Sequence, residues 1–153
     1  MFVDLWYTTN RMINRDLDRQ PQSLQFVRDE NRLHLVVYHL VWAPKRRKPV
    51  LTGSVEADCR RLIEEECDEH GWDIVKLAVE PDRVDLLVRV WPTTSAAEVV
   101  KECKGITSHT LWNKYPDLRK IPSLWTRSYL AATVGSSLSD DVIERYVQMQ
   151  AKQ

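Results

Sequence analysis

The segment that most constrains the fold is residues 80–92, EPDRVDLLVRVWP. After a Pro-Asp pair, its even positions from 84 to 90 are all aliphatic, and its odd positions begin with Arg83 and Asp85. Because successive side chains of a strand point to opposite faces, this pattern predicts a strand with one face in a core. The other face begins with a cation beside an anion. That pair is either a solvated strand end or the position of a functional centre.

The rest of the chain supplies three more strands and three helices. Strands are predicted over residues 32–43, 72–80 and 128–135, and helices over residues 52–71, 95–115 and 137–153. Ser54 and Ser95 are predicted N-caps, and Gly71 a C-terminal stop. The first six elements predict an α+β fold, a ferredoxin-like βαββαβ antiparallel sheet, to which a C-terminal helix is added. Residues 1–31 show no clean periodicity and are predicted to be an N-terminal arm, which leaves residues 32–153 as one domain.

Charge is distributed unevenly along the chain, although the formal net charge is zero. Residues 45–48 are four consecutive cations, residues 56–69 contain seven acids, and residues 101–127 contain six Lys or Arg against two acids. A basic side with an acidic back is compatible with a nucleic-acid interface. A solvated loop is the alternative reading of the cationic run.

Cysteine usage and hydropathy bear on the compartment. Cys59, Cys67 and Cys103 form no CxxC pair and are odd in number, which favours a reducing, cytoplasmic setting over a disulfide framework or a zinc ribbon. The first residues lack the pattern of a signal peptide. No apolar run approaches the roughly 18 residues of a membrane span, so we expect no membrane partner.

Two kinds of candidate residue have an ordinary structural alternative. Tyr146 and Gln150 are four residues apart and share a helix face. They indicate either a half-buried Tyr packing on the sheet or a nucleophilic phenol with a carboxamide one turn away. His34 and His39 are five residues apart, so they face opposite sides of a strand and cannot share a metal. A structural role is the favoured interpretation for both histidines.

Five segments, taken in order, resemble one family. They are YHLVWAPKRRKPVLTG, EPDRVDLLVRV, KGITSHTL, LWTRSYLAATVG and VIERYVQMQ, between about residues 33 and 150. The chain resembles the small single-tyrosine HUH transposases of the insertion-sequence 200/605 type, which move elements as single-stranded DNA. The resemblance implies the ferredoxin-like fold, with the tyrosine on the C-terminal helix. It also implies a homodimer in which the active sites are shared between subunits.

The same resemblance implies the chemistry. A tyrosine attacks a DNA phosphate and becomes 5′-linked to it, while a histidine pair and a glutamine hold a divalent metal. Tyr146 matches the nucleophile and Gln150 the glutamine ligand. Arg83 and Asp85 stand where the family has its two histidines. Arginine has only donors and cannot ligate a cation, whereas a carboxylate suits Mg²⁺ or Mn²⁺. Arg83 is therefore expected to stabilise phosphorane charge, and Asp85 with Gln150 to hold the metal.

The leading prediction is a transposase-family protein that binds single-stranded or hairpin DNA, with impaired or lost strand cleavage and a metal weakly bound or absent. An active transposase with an Asp85–Gln150 metal site is the second reading. A scaffold that only dimerises is the third. Phosphate contacts are predicted for the basic residues of the two cationic segments, and base stacking for one tryptophan. These DNA-binding candidates are Lys45, Arg46, Arg47, Lys48, Lys101, Lys104, Trp125 and Arg127.

Overall fold

The computed structural model describes residues 27–30, 32–133, 144, 147–148 and 151. The strands are Val27–Arg28 (β1), Leu33–His34 (β2), Val36–Trp42 (β3), Asp73–Glu80 (β4), Arg83–Val90 (β5) and Leu130–Thr133 (β6). The helices are Gly53–His70 (α1) and Ala96–Lys114 (α2), with short 3₁₀ turns at Lys45–Arg47 and Pro116–Lys120. The helix predicted over 137–153 falls largely outside the described residues. Within it, Glu144, Val147 and Gln148 are helical.

Four strands form the main sheet in the order β4-β5-β3-β6, and every neighbouring pair is antiparallel. Helix α1 connects β3 to β4, and α2 precedes β6. This confirms the predicted α+β fold with a βαββαβ sheet. The strand predicted over residues 32–43 is interrupted at Leu35, because its first part pairs with β1 in a separate two-stranded sheet.

One face of the main sheet is covered by the two helices. Trp42 of β3 and Leu86 of β5 are fully buried there, against Ile63 of α1 and Leu111 of α2. Leu86 belongs to the even face predicted from residues 84–90, and Trp42 lies on the same face because it is directly opposite Val84. Burying a large aliphatic side chain contributes about 1.5–3 kcal/mol, so this layer contributes a large part of the stability of the domain.

Two of the three predicted helix-capping residues are confirmed, and one is wrong. Ser95 Oγ accepts a hydrogen bond from the Glu98 amide at 3.1 Å, and Gly71 ends α1 in the left-handed conformation at φ 72°. The prediction of Ser54 as an N-cap is wrong. Thr52 occupies that position, because the Leu51 amide is bonded to Pro81 O and the chain turns into the helix directly after Thr52.

The opposite face of the sheet, here called the open face, is the face that α1 and α2 leave uncovered. Val41 of β3 is directly opposite Asp85 of β5 on one side and Leu130 of β6 on the other. Directly paired residues share a face, so Asp85 lies on the open face. Val147 is fully buried against Val41 and Leu130, which places this residue over the open face. Among the described helices, none has both the length and the apolar character needed to cross a membrane.

Candidate active site and nucleic-acid interface

Arg83 and Asp85 lie on the open face at the start of β5, and both side chains are partly exposed, at 21% and 28%. The tight Pro81-Asp82 turn between β4 and β5 fixes their position, with Glu80 directly opposite Arg83. Their side chains have different partners. Arg83 pairs with carboxylates from the turn and from the C-terminal segment, whereas Asp85 pairs with a side chain of β3.

Glu144 joins two arginines. Its Oε2 lies 3.2 Å from Arg83 Nη2, and its Oε1 accepts from Arg47 Nη2 at 3.1 Å. Asp82 completes the group, because its carboxylate lies 2.6 Å from Arg47 Nε and 3.3 Å from Arg83 Nε. We call these four residues the charged network. It ties the basic loop (residues 45–48) and the β4–β5 turn to Glu144 of the same chain.

The pKa values of the charged network indicate that its members favour their ionised forms. Partial burial on its own would raise the pKa of Glu144, but the charges of Arg83 and Arg47 outweigh it, and the pKa is lowered. The Asp82 pKa is lowered against the same opposing effect of burial by its hydrogen bond to Arg47 and the charge of Arg83. Burial would lower the pKa of Arg83, yet Asp82 and Glu144 raise it. Arg83 therefore remains a cation held by two anions.

Asp85 forms a short hydrogen bond across the sheet. Its Oδ1 lies 2.6 Å from Nε2 of His39, which is on β3. An ionised carboxylate only accepts, so the proton of this hydrogen bond belongs to the imidazole. His39 was predicted to be structural. The structure places it beside the candidate metal ligand, where it is 22% exposed.

The basic loop has an unusual backbone and sends its side chains in two directions. Arg46 and Arg47 have φ values of 57° and 52°, a region that non-glycine residues adopt at a cost of order 1–3 kcal/mol each. Arg47 turns inward to the charged network, whereas Arg46 and Lys48 are exposed. The loop thus presents two cations to solvent and uses a third to fix its own position.

The segment that carries Arg127 runs beside the basic loop. The Thr126 amide bonds to Ala43 O and the Lys45 amide to Leu124 O, so residues 124–127 run alongside the loop. Arg127 is exposed on this segment, and Lys101 is exposed on helix α2. Lys104 is different, because its Nζ donates to Thr126 O at 2.7 Å and to Ser128 O at 2.9 Å. Its ammonium group therefore anchors the segment that carries Arg127.

The prediction that Trp125 stacks a DNA base is wrong. Its side chain is only 6% exposed and packs edge-on against Trp42 in the core. Its Nε1 donates to Thr107 Oγ1 at 2.9 Å, so the polar end of the indole is also satisfied internally. The exposed aromatic side chains among the described residues are Trp91 and Tyr129, at 41% and 37%.

Among the described residues, one group of three carboxylate or imidazole side chains has the spacing of a metal site. Glu66 and His70 of α1 and Glu102 of α2 have ligand atoms within 4.8 Å of one another. This cluster lies on the helices, which cover the face of the sheet opposite Asp85. Exposed groups of this kind are common without an ion, so this cluster is a suitable control for metal binding at Asp85.

Sequence reasoning placed Arg83 and Asp85 together correctly but missed Asp82, Glu144 and His39. The Pro-Asp turn was a usable signal for Asp82. The other two come together only through contacts 97 and 46 residues apart along the chain. The proposed nucleophile Tyr146 and ligand Gln150 lie outside the described residues.

Comparison with known proteins adds four findings. The family model "Transposase IS200 like" matches residues 32–150. The ISDra2 transposase TnpA of Deinococcus radiodurans is 27% identical over 130 residues, which cover 83% of this chain and 92% of that protein. The IS200 transposase of Salmonella typhimurium is 24% identical over 119 residues, covering 76% of this chain and 77% of that protein. A crystal structure of a Deinococcus radiodurans R1 protein described as a transposase superposes with a TM-score of 0.74 at 30% identity, covering 81% of this chain and 97% of that one.

Proposed function

The chain belongs to the IS200-like transposase family, and from this membership we propose that it binds single-stranded DNA carrying a hairpin, with strand cleavage impaired or lost. The observation that carries the second part is the state of Arg83. It has no lone pair to give a metal, and its guanidinium is paired with Asp82 and Glu144. A residue in that state cannot replace a histidine ligand.

Support for DNA binding comes from the exposed cations around the basic loop. Arg46 and Lys48 point to solvent, and Arg127 lies on the segment that runs beside the loop. Phosphate contacts of this kind are sequence-independent and supply most of the affinity for a nucleic-acid backbone. We assign Lys45 and Lys101 to the same surface. Arg47 and Lys104 hold that surface in place through their internal partners.

In the proposed reaction, Tyr146 is the nucleophile that attacks a DNA phosphate. A divalent metal, when bound, would polarise that phosphate. The open face fits such an ion only in part, because Asp85 offers a carboxylate oxygen and His39 an imidazole nitrogen, whereas Arg83 offers neither. Arg83 contributes positive charge near the phosphate instead, once Glu144 releases it. Metal assistance is worth several kcal/mol of barrier, so a weak site predicts slow cleavage or none.

The second candidate is an active transposase that forms a 5′-phosphotyrosine, with Asp85 and Gln150 as metal ligands and Arg83 as an electrostatic helper. The partial exposure of Asp85 on the open face favours it, since a substrate-bound ion can reach the carboxylate. In both cases we propose a homodimer with active sites shared between subunits. We also propose a cytoplasmic location, in keeping with three free, buried cysteines.

The test is a cleavage assay on stem-loop single-stranded DNA with Mn²⁺, in which a covalent protein–DNA adduct is sought on a denaturing gel. Binding without an adduct supports impaired cleavage. A Tyr146-dependent adduct supports the active transposase. A protein that neither binds nor cleaves hairpin DNA would be a dimerisation scaffold, and the proposed function would be wrong.

A further inference from the structure

We propose that His39 and Asp85 together form the divalent-metal site of this protein, with the imidazole supplied by β3 rather than by β5. The role of this ion in strand cleavage rests on the proposed function. The binding of the ion can be tested independently of that function. It assigns to His39 a role for which the sequence alone gave no indication.

The first argument is the convergence of two donor atoms. His39 Nε2 and Asp85 Oδ1 lie 2.6 Å apart and belong to different strands. Neighbouring ligands around a small octahedral cation are about 3 Å apart, so a slight opening of this pair suffices for both atoms to reach one ion. The ion would replace the proton that the two atoms share, and that proton would pass to Nδ1 or to solvent.

The second argument is accessibility combined with a fixed backbone. Both side chains are about a quarter exposed, at 22% and 28%, so an ion and its water ligands can approach from the open face. The backbones beneath are the two central strands of the sheet. His39 is directly opposite Leu87, and Asp85 is directly opposite Val41. The main-chain positions of the donors are therefore set before any ion arrives.

The third argument is the local charge. Arg83 lies two residues from Asp85 and would repel a cation if it were unpaired. The charged network prevents this, since Asp82 and Glu144 pair with both arginines. With neutral His39, the network and Asp85 together carry a net charge of −1. The site is therefore electrostatically suited to a divalent ion.

The donor set also selects among ions. One imidazole nitrogen with one carboxylate oxygen suits Mn²⁺ and similar transition metals better than Mg²⁺, which prefers all-oxygen ligands. The remaining positions are left for water and a substrate phosphate. Two protein ligands make a weak site, in agreement with the impaired cleavage proposed above.

The test uses Mn²⁺ alone, without DNA, on the full chain. Binding is measured by the loss of the free-ion electron paramagnetic resonance signal, and nitrogen ligation by pulsed measurement of ¹⁴N coupling. We expect one Mn²⁺ site with ¹⁴N coupling. Affinity should fall about tenfold or more in His39→Ala and in Asp85→Asn, at least the loss seen when a ligand's supporting partner is removed. His39→Ala should also abolish the ¹⁴N coupling.

The matched control is His70→Ala, which removes the imidazole of the helix cluster. The proposal holds if this variant binds Mn²⁺ as the wild type does. It is overturned if the wild type binds no Mn²⁺ at millimolar concentration, if His39→Ala keeps the ¹⁴N coupling, or if only His70→Ala loses binding. The nearly isosteric Asp85→Asn keeps the test informative should His39→Ala fold poorly. Hairpin binding in the presence of a chelator tests the proposed function separately.

Discussion

The guanidinium of Arg83 lies 3.2 Å from the carboxylate of Glu144, although 61 residues separate them in the chain. This contact links the strand that carries Arg83 and Asp85 to a residue two positions before the proposed nucleophile Tyr146. Arg83 is therefore already paired with a carboxylate of the protein when no DNA is bound. A DNA phosphate that binds Arg83 must compete with Glu144 for the guanidinium group.

Replacing Glu144 with Gln should leave Asp82 as the single anion facing Arg83 and Arg47 within the charged network. We expect tighter hairpin binding with a steeper salt dependence, because the network gains one net positive charge. The free energy of unfolding should change little, because ion pairs of a largely exposed carboxylate are screened by solvent. Fluorescence anisotropy at several salt concentrations measures the first effect. Glu64→Gln on α1 is the charge-matched control, and an equal change in that variant would contradict the interpretation.

A histidine pair introduced at positions 83 and 85 tests whether Arg83 and Asp85 account for the impaired cleavage that we propose. The double variant Arg83→His with Asp85→His should bind a divalent ion and form a covalent adduct with a cognate hairpin. The physical reason is that both restored imidazoles have lone pairs and share the open face of β5. Adding Tyr146→Phe should remove the adduct. If the double variant binds DNA yet forms no adduct, the defect lies elsewhere in the protein.

The basic loop should show two classes of cation. Arg46→Ala and Lys48→Ala should each reduce the slope of log affinity against log salt by about one unit, with little loss of stability. Arg47→Ala should in addition destabilise the fold, because it leaves Asp82 and Glu144 without one of their partners. Lys120, which is 82% exposed on the Pro116–Lys120 turn, provides the control Lys120→Ala. Unchanged affinity in both loop variants would make the loop a solvated feature.

Lys104 gives a prediction for stability against pH. Burial lowers its pKa to about 8, below the value of 10.5 expected in the unfolded chain. Between these values the unfolded chain binds more protons, so the free energy of unfolding should rise with pH. The gain is complete above about pH 10.5 and lost as pH falls through about 8. Urea unfolding should show about 1–2 kcal/mol of this dependence in the wild type, after allowance for partial exposure, and none in Lys104→Met.

Trp125 should contribute to stability and make no direct contact with DNA. Trp125→Phe removes the donor to Thr107 Oγ1 and leaves a gap beside Trp42, so we expect a loss of about 1–3 kcal/mol in unfolding free energy. Hairpin affinity at a temperature where the variant is folded should stay within about twofold of the wild type. A large loss of affinity in the folded variant would restore the stacking interpretation.

The sheet was predictable because its pattern is local. Residues 84–90 alternate, Gly71 and Ser95 mark helix ends, and the order of elements allowed few topologies. The charged network was not predictable, because the sequence of a basic run does not show whether an arginine faces solvent or a distant residue such as Glu144. The His39–Asp85 pair depends on the register between β3 and β5, and a shift of one residue would have placed His39 in the core. The burial of Trp125 was not predicted, because segment 124–127 has no strand pattern in the sequence. Its backbone nevertheless bonds to that of residues 43 and 45, which places Trp125 in the core.

The central position of β3 and β5 has a consequence for how the site opens. Both strands are hydrogen-bonded on two sides, so their amides are expected to exchange with solvent only in rare, large unfolding events. The cover above them is held by Val147 and by the partly exposed ion pairs of Glu144. Glu144 and Val147 contact this sheet through their side chains and are not part of its hydrogen-bonded ladder. Hydrogen exchange should therefore be slow at the amides of β3 and β5 and faster at those of Glu144 and Val147.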